Sequence, residues 1–178
     1  ASLVDQARVA TGLGDFGEDT WQEGLERLLD SLRGEARLSE VGEQIAAAMI
    51  VNDLTSRLRV TDWHGRYPEI GAASIPPPVV VLGQPRTGTT ILFELLSLDP
   101  KARSISATDA AHPIPGFPVA SPADRAKLIA MTECEQEFWA DVQPEFATIH
   151  ELRSDLPVEC IHATMPSFAS FIWWMMSD

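Results

Sequence analysis

A short apolar run followed by a glycine-bounded turn constrains the fold of this chain more than any other feature. After three prolines, residues 79–82 read VVVL, a β-branched run that is typical of a strand buried in a sheet. Residues 83–88 form a turn bounded by two glycines, and residues 89–92 read as the start of a helix. A buried strand, such a turn and a helix N-terminus together direct backbone N–H groups at an anion. The run therefore predicts an α/β fold with a phosphate-binding loop.

The loop departs from the pattern of nucleotide-triphosphate-binding proteins at one position. Gly83, Gly88 and Thr90 match the pattern G-x-x-x-x-G-K-[ST], but Thr89 stands where the pattern requires lysine. That lysine reaches the β- and γ-phosphates, and the cation of this loop is instead Arg86. We therefore expect the loop to hold an anion other than ATP.

Composition and charge exclude several classes of protein. The chain has 178 residues, 45% of them apolar and 22% charged, which suits a globular protein with a good core. Thirteen basic residues against 26 acidic ones give a net charge of −13, so we expect no nucleic-acid partner. An acidic protein that binds an anionic nucleotide must concentrate positive potential locally, which adds weight to Arg86.

The cysteines, the histidines and the apolar runs predict a cytoplasmic protein without a metal. Cys134 and Cys160 lie far apart, outside any C-x-x-C spacing, so free thiols are expected. The four histidines share no spacing that is typical of metal ligands. No apolar run approaches the ~20 residues of a membrane span, and the first residues do not read as a secretory leader.

Local signals divide the chain into a helical region, residues 1–72, and the amino-terminal part of an α/β domain, residues 73–178. Helix starts are predicted at Thr20, in a capping box with Glu23, and at Ser39, Ser121, Pro157 and Ser167. The helix that opens at Ser121 should run to about Val142.

Residues 85–90, PRTGTT, resemble the 5′-phosphosulfate-binding loop of sulfotransferases, usually written P-K/R-[ST]-G-[ST]-[ST]. Further similar segments are TGLGDFG at 11–17, GLERLL at 24–29, RVTDW at 59–63, PEI at 68–70 and LPVEC at 156–160. The chain most resembles the bacterial branch, which has a helical region before the loop. The resemblance implies a P-loop-like sulfotransferase fold with a parallel sheet, of which this chain covers only part.

The resemblance also implies the sulfuryl donor, 3′-phosphoadenosine-5′-phosphosulfate (PAPS), and a site that needs no metal. Its 5′-phosphate and sulfonate would be bound by the loop residues Gly83, Pro85, Arg86, Thr87, Gly88, Thr89 and Thr90. Arg86 occupies the position where sulfotransferases keep a cation against the bridging oxygen of the leaving nucleotide. The aromatic and methionine cluster at 171–176 either lines an acceptor channel or belongs to the core.

A base is expected near the donor, because the acceptor must lose a proton. In the bacterial branch this base is a carboxylate, typically in a Trp-Glu pair ahead of a P-x-P turn. Asp109 falls at that position, with Thr108 in place of the tryptophan and the shorter Asp in place of Glu. His112 is the alternative base, since histidine has this role in the eukaryotic cytosolic branch.

The leading interpretation is a sulfotransferase that moves a sulfuryl group from PAPS to a hydroxyl or amine of a small-molecule or lipidic acceptor. A small-molecule kinase with a degenerate P-loop and a non-catalytic nucleotide- or lipid-binding relative remain open as alternatives.

We also expect that this chain is the amino-terminal part of a longer protein and does not catalyse alone. One strand cannot form the sheet that the loop requires. The segments of the family that hold the 3′-phosphate of the donor, of K-S-P-x-H and R-D-P type, do not occur in the sequence.

Overall fold

The computed structural model describes residues 1–84, 87–145 and 153–175. Its helices are α1 (Leu3–Thr11), α2 (Thr20–Gly34), α3 (Glu40–Arg66), α4 (Pro68–Ala72), α5 (Thr89–Ser97), α6 (Ala107–Ala111), α7 (Pro122–Val142), α8 (Cys160–Ala163) and α9 (Phe171–Met175), with a 3₁₀ turn at Met165–Ser167. The contacts divide the chain into two units, Ala1–Ala72 with Cys160–Asp178 and Ala73–Glu159.

Capping residues explain where several helices begin. Ser39 Oγ accepts a hydrogen bond from the backbone N–H of Gly42, which confirms the predicted start of α3. At the start of α7, Ser121 and Asp124 form a capping box around Pro122. The prediction of a helix from Ser121 to Val142 is therefore confirmed.

Two predicted helix starts and one predicted helix cap differ from the structure. Helix α2 does begin at Thr20, but Asp19 is the N-cap residue and no side chain caps it, so the predicted Thr20–Glu23 capping box is wrong. Thr20 already lies inside the helix, one residue too late to cap it. No helix opens at Pro157, because 156–158 is extended and bonded to residues 105–107; α8 starts at Cys160. Ser167 ends the 3₁₀ turn instead of capping a helix.

The first unit is built around α3. Ile50, Leu54 and Leu58 lie on one face of this helix at four-residue spacing and are almost completely buried. They belong to a core cluster with residues of α1, of α2, of the connection between them and of the segment 165–173. Its other buried members are Ala7, Phe16, Trp21, Leu25, Leu28, Phe168 and Trp173. Gly24 permits the close approach of α2, because a Cβ there would lie 2.9 Å from the carbonyl oxygen of Phe168.

The aromatic and methionine cluster at 171–176 was expected either to line an acceptor channel or to belong to the core, and the structure answers this for one of its residues. Trp173 is buried among the core residues, and its indole Nε1–H donates to the carbonyl oxygen of Met165 at 3.0 Å. Phe171 and Trp174 are more than half exposed, and Met176 lies outside the described residues. Trp173 therefore has a structural role in the core.

In the second unit the predicted strand is absent: residues 73–84 form no helix and no strand. The side chains of Val79 and Leu82 are 85% and 88% exposed. No strand occurs anywhere in the described ranges, and the β-type pairing seen there is an isolated antiparallel bridge between Ser106 and Pro157. A parallel strand needs partners on its edges and helices over its faces. Among the described residues, no strand pairs with 79–82, and Val79, Val80 and Leu82 are exposed. Within the same ranges, no helix is long and apolar enough to cross a membrane.

Candidate functional site

The loop at 83–90, which is predicted to bind an anion, is described on both sides of Pro85 and Arg86; these two residues lie outside the described residues. Thr87 Oγ1 donates a hydrogen bond of 2.6 Å to the carbonyl oxygen of Gln84. A Cβ on Gly83 would lie 2.6 Å from Thr89 Cγ2 and 2.8 Å from Thr87 Oγ1. The turn folds back so tightly that only glycine fits at its first position.

The turn leads directly into the N-terminus of α5. Gly88 is the N-cap residue, with a left-handed φ of 88°, and no side chain forms a capping hydrogen bond to this helix end. The N–H groups of the first turn have no acceptor within the helix, and the helix dipole makes this end positive. Thr90 is exposed and Thr89 is half-buried. These N–H groups and hydroxyls are therefore able to bind a phosphate or a sulfonate.

Asp109 lies on α6, where Ser106 contacts its backbone and Arg125 contacts its carboxylate. Its backbone N–H donates to Oγ of Ser106, the N-cap residue, and Asp109 Oδ1 accepts a hydrogen bond of 3.0 Å from Arg125 Nη1 on α7. Partial burial acts to raise the pKa of Asp109, but the hydrogen bonds from Ser106 and Arg125 and the charge of Arg125 outweigh it. The net effect lowers the pKa, so Asp109 is ionised at neutral pH.

His112 ends α6 and faces a different residue of α7. Its Nε2 lies 3.4 Å from Glu135 Oε1, close enough for charge attraction when the imidazole is protonated. The same nitrogen is buried and makes no hydrogen bond to any described residue. The structure therefore places both candidate bases, Asp109 and His112, against α7 and opposite charged partners.

Residues 153–158 fix α6 from another side. Thr108 is fully buried, and both its backbone N–H and its hydroxyl donate to the carbonyl oxygen of Ser154. Ser154 Oγ in turn donates to Glu133 Oε1 on α7 at 3.0 Å. Sequence reasoning missed Arg125, Glu133 and Ser154, because these contacts join residues that are 16 to 46 positions apart. The predicted helix from Ser121 to Val142 contains Arg125 and Glu133, and the LPVEC resemblance at 156–160 lies next to Ser154, but neither signal indicates these contacts.

The described residues bring together some of the predicted site but not all of it. No hydrogen bond or ion pair among them joins the loop at 83–90 to α6. In the same part of the chain, no three His, Cys, Asp or Glu side chains lie close enough together to hold a metal ion.

A tight glycine turn that opens an uncapped helix N-terminus is typical of proteins that bind phosphate or sulfate groups. The chain belongs to the sulfotransferase family: the model of this family matches residues 77–178, more than half of the sequence, and includes the loop. The resemblance found in the sequence is thereby confirmed.

Two solved structures are similar to nearly the whole chain. Sulfotransferase STF1 from Mycobacterium tuberculosis H37Rv matches 96% of it at 28% identity, with a TM-score of 0.76. Sulfotransferase STF9 from Mycobacterium avium also matches 96% at 28% identity, with a TM-score of 0.77. The chain spans only 47% and 44% of the lengths of these two proteins. No curated protein matches it.

Proposed function

We propose that the protein containing this chain is a sulfotransferase that transfers a sulfuryl group from PAPS to a hydroxyl or amine of a small-molecule or lipidic acceptor. The observation that carries the proposal is the family match over 77–178, which includes the loop before α5. The open, positive end of α5 beside two threonine hydroxyls supports it, because sulfonate and phosphate are the groups that such an end binds.

In this proposal the loop binds the donor around its sulfonate and 5′-phosphate. Backbone N–H groups at the start of α5 and the hydroxyls of Thr89 and Thr90 are the proposed donors of hydrogen bonds. Arg86 stabilises the negative charge that develops on the bridging oxygen when the sulfur–oxygen bond breaks. PAPS, when bound, supplies the activated sulfuryl group, and these residues bind and orient it.

The proposed base is Asp109, with His112 as the alternative. Asp109 is half-buried and ionised, so its carboxylate is able to accept the proton that the acceptor hydroxyl loses. His112 is also half-buried and lies beside Glu135. Both residues contact charged side chains of α7, so either assignment puts the base beside this helix.

The test is a binding and transfer experiment on the intact protein. We expect 3′-phosphoadenosine 5′-phosphate to raise the melting temperature more than ATP does, and sulfuryl transfer from PAPS to at least one member of a panel of hydroxyl and amine acceptors. Stabilisation by ATP alone would favour a kinase. Binding of the nucleotide without transfer to any acceptor would favour a non-catalytic relative.

A further inference from the structure

One face of α7 packs on α6 and carries a charged side chain at each end. Arg125, Leu128, Thr132 and Glu135 recur at three- and four-residue spacing, which places them on the same face of the helix. Leu128 and Thr132 are buried in the middle of this face. Arg125 and Glu135 therefore lie at the two ends of a face whose middle is buried.

The contact of Arg125 with Asp109 is a formed hydrogen bond, whereas that of Glu135 with His112 is not. Arg125 Nη1 lies 3.0 Å from Asp109 Oδ1 with good hydrogen-bond geometry. His112 Nε2 lies 3.4 Å from Glu135 Oε1 and makes no hydrogen bond among the described residues. A fork-shaped guanidinium held by its own helix fixes the orientation of a carboxylate as well as its charge.

We propose that Arg125 is a positioning residue of the transfer reaction, which holds Asp109 as an oriented carboxylate ready to accept the proton of the acceptor hydroxyl. The proposal rests on the proposed function, in which Asp109 is the base. As the proton passes to the carboxylate, the hydroxyl oxygen forms its bond to sulfur. The bond from sulfur to the phosphate oxygen of the nucleotide breaks, and its electron pair leaves with the nucleotide.

A role in stability alone does not account for this pair. The side chains of Arg125 and Asp109 are 43% and 39% exposed, and ion pairs this exposed contribute little to stability. Helix α7 has other buried residues on the same face, Leu128 and Thr132, and α6 is held independently by the hydrogen bonds of Thr108 to Ser154.

Other charged groups near α6 are engaged elsewhere. Arg125 contacts α6 directly, and Glu133 and Glu135 contact residues that are bonded to it. Arg153 and Asp155 flank Ser154 in the sequence. Glu133 accepts from Ser154, Glu135 faces His112, and Arg153 is paired with Asp155. In this part of the described structure, Arg125 is the charged side chain in contact with Asp109.

Two titrations of the intact protein test the proposal. The first follows the Asp109 carboxylate by carbon NMR without donor, and the second measures kcat/KM for sulfuryl transfer against pH. Both are compared in the wild type, Arg125→Gln and Arg125→Lys. In Arg125→Gln we expect the Asp109 titration and the acidic limb of kcat/KM to move together to higher pH, because the charge that favours the carboxylate is lost. Turnover at neutral pH should fall by up to about 10²-fold, and Arg125→Lys should recover part of it.

The matched control is Arg27→Gln, which breaks the exposed 2.8 Å ion pair of Arg27 with Glu23 on α2 and should leave both titrations unchanged. In an Asp109→Asn background, Arg125→Gln should cause no further loss of turnover.

The two titrations separate failure of this proposal from failure of the proposed function. An Asp109 titration that is unchanged in Arg125→Gln would overturn the role of Arg125, whatever the activity. A titration that moves while the rate profile stays in place would show that Asp109 is not the base, and a large loss in His112→Ala would then assign that role to His112. A wild type without any transfer from PAPS would contradict the proposed function, while the NMR titration would still decide whether Arg125 controls Asp109.

Discussion

Asp53 is a buried carboxyl on α3, and its burial makes the stability of the first unit depend on pH. Only 7% of Asp53 is exposed to solvent, and its Oδ2 makes no hydrogen bond to any described residue. Burial raises the pKa of Asp53 from 3.8 to about 7, because a low-dielectric environment disfavours the charged form. The folded protein therefore binds a proton here that the unfolded chain releases near pH 4.

The direction of the pH dependence of stability follows from the difference between the folded and the unfolded pKa of Asp53. The stabilising contribution of protonated Asp53 is complete below the unfolded pKa of 3.8 and is lost as the pH rises through the folded pKa of about 7. Asp53→Asn should therefore gain stability relative to the wild type as the pH rises, by on the order of 1–4 kcal/mol at pH 8. Urea unfolding of the intact wild-type protein and of its Asp53→Asn variant, at pH 5 and at pH 8, measures this difference in stability.

The control for this prediction is Asp30→Asn, which removes an exposed carboxyl of α2. We expect it to change stability equally at the two pH values. A difference between Asp53→Asn and the wild type that does not depend on pH would contradict the assignment of a raised pKa to Asp53.

The turn before α5 is an element whose geometry depends on a single glycine. Gly83→Ala would place a Cβ 2.6 Å from Thr89 Cγ2 and would push Thr87 away from Gln84. Because these are short side chains next to the backbone, the N-terminus of α5 must shift. We expect affinity for 3′-phosphoadenosine 5′-phosphate to fall by roughly 10- to 100-fold, with calorimetry as the measurement.

Gly14→Ala is the matched control for this substitution, because a Cβ at Gly14 meets no atom within 4 Å. It should bind the nucleotide with wild-type affinity. Unchanged binding in Gly83→Ala would mean that the turn and the end of α5 do not contact the nucleotide.

Elements that depend on neighbouring residues could be predicted from the sequence, and elements that depend on distant ones could not. The starts of α3 and α7 were predicted because Ser39 and Ser121 bond to N–H groups three residues away. The Asp109–Arg125 pair spans 16 residues and leaves no local pattern. The candidate base at 109 was found through resemblance, while its partner on α7 required the structure.

On the scale of the whole molecule, the second unit leaves a large apolar surface exposed. Val79, Leu82, Ile91, Leu95 and Leu98 are each at least 60% exposed. Large exposed apolar side chains that lie together mark a surface that contacts a partner or another part of the protein. The apolar run at 79–82 was interpreted as a strand because its composition is that of a buried one, but a strand forms only when neighbouring strands pair with it.

We therefore propose that catalysis requires more of the protein than this chain, which spans less than half the length of its two structural relatives. The isolated 178-residue chain should aggregate or stay partly unfolded, bind PAPS weakly and transfer no sulfuryl group. Size-exclusion chromatography, thermal melting and calorimetry measure these properties. A monomeric chain that melts cooperatively and binds PAPS with micromolar affinity would contradict this proposal.

The rate of sulfuryl transfer from PAPS by the intact protein, in the wild type and in Arg86→Ala, tests most directly whether the loop at 83–90 is the site of transfer. Arg86 is the cation of the loop, and we propose that it contacts charge that develops in the transition state. Removing such a contact is expected to lower turnover by about 10²–10³-fold, while Arg86→Lys keeps more activity because it retains the charge. The melting temperature should change little, since Thr87 and Gly88, which follow Arg86 in the sequence, are exposed. Turnover close to that of the wild type in Arg86→Ala would contradict the assignment of this loop as the site of sulfuryl transfer.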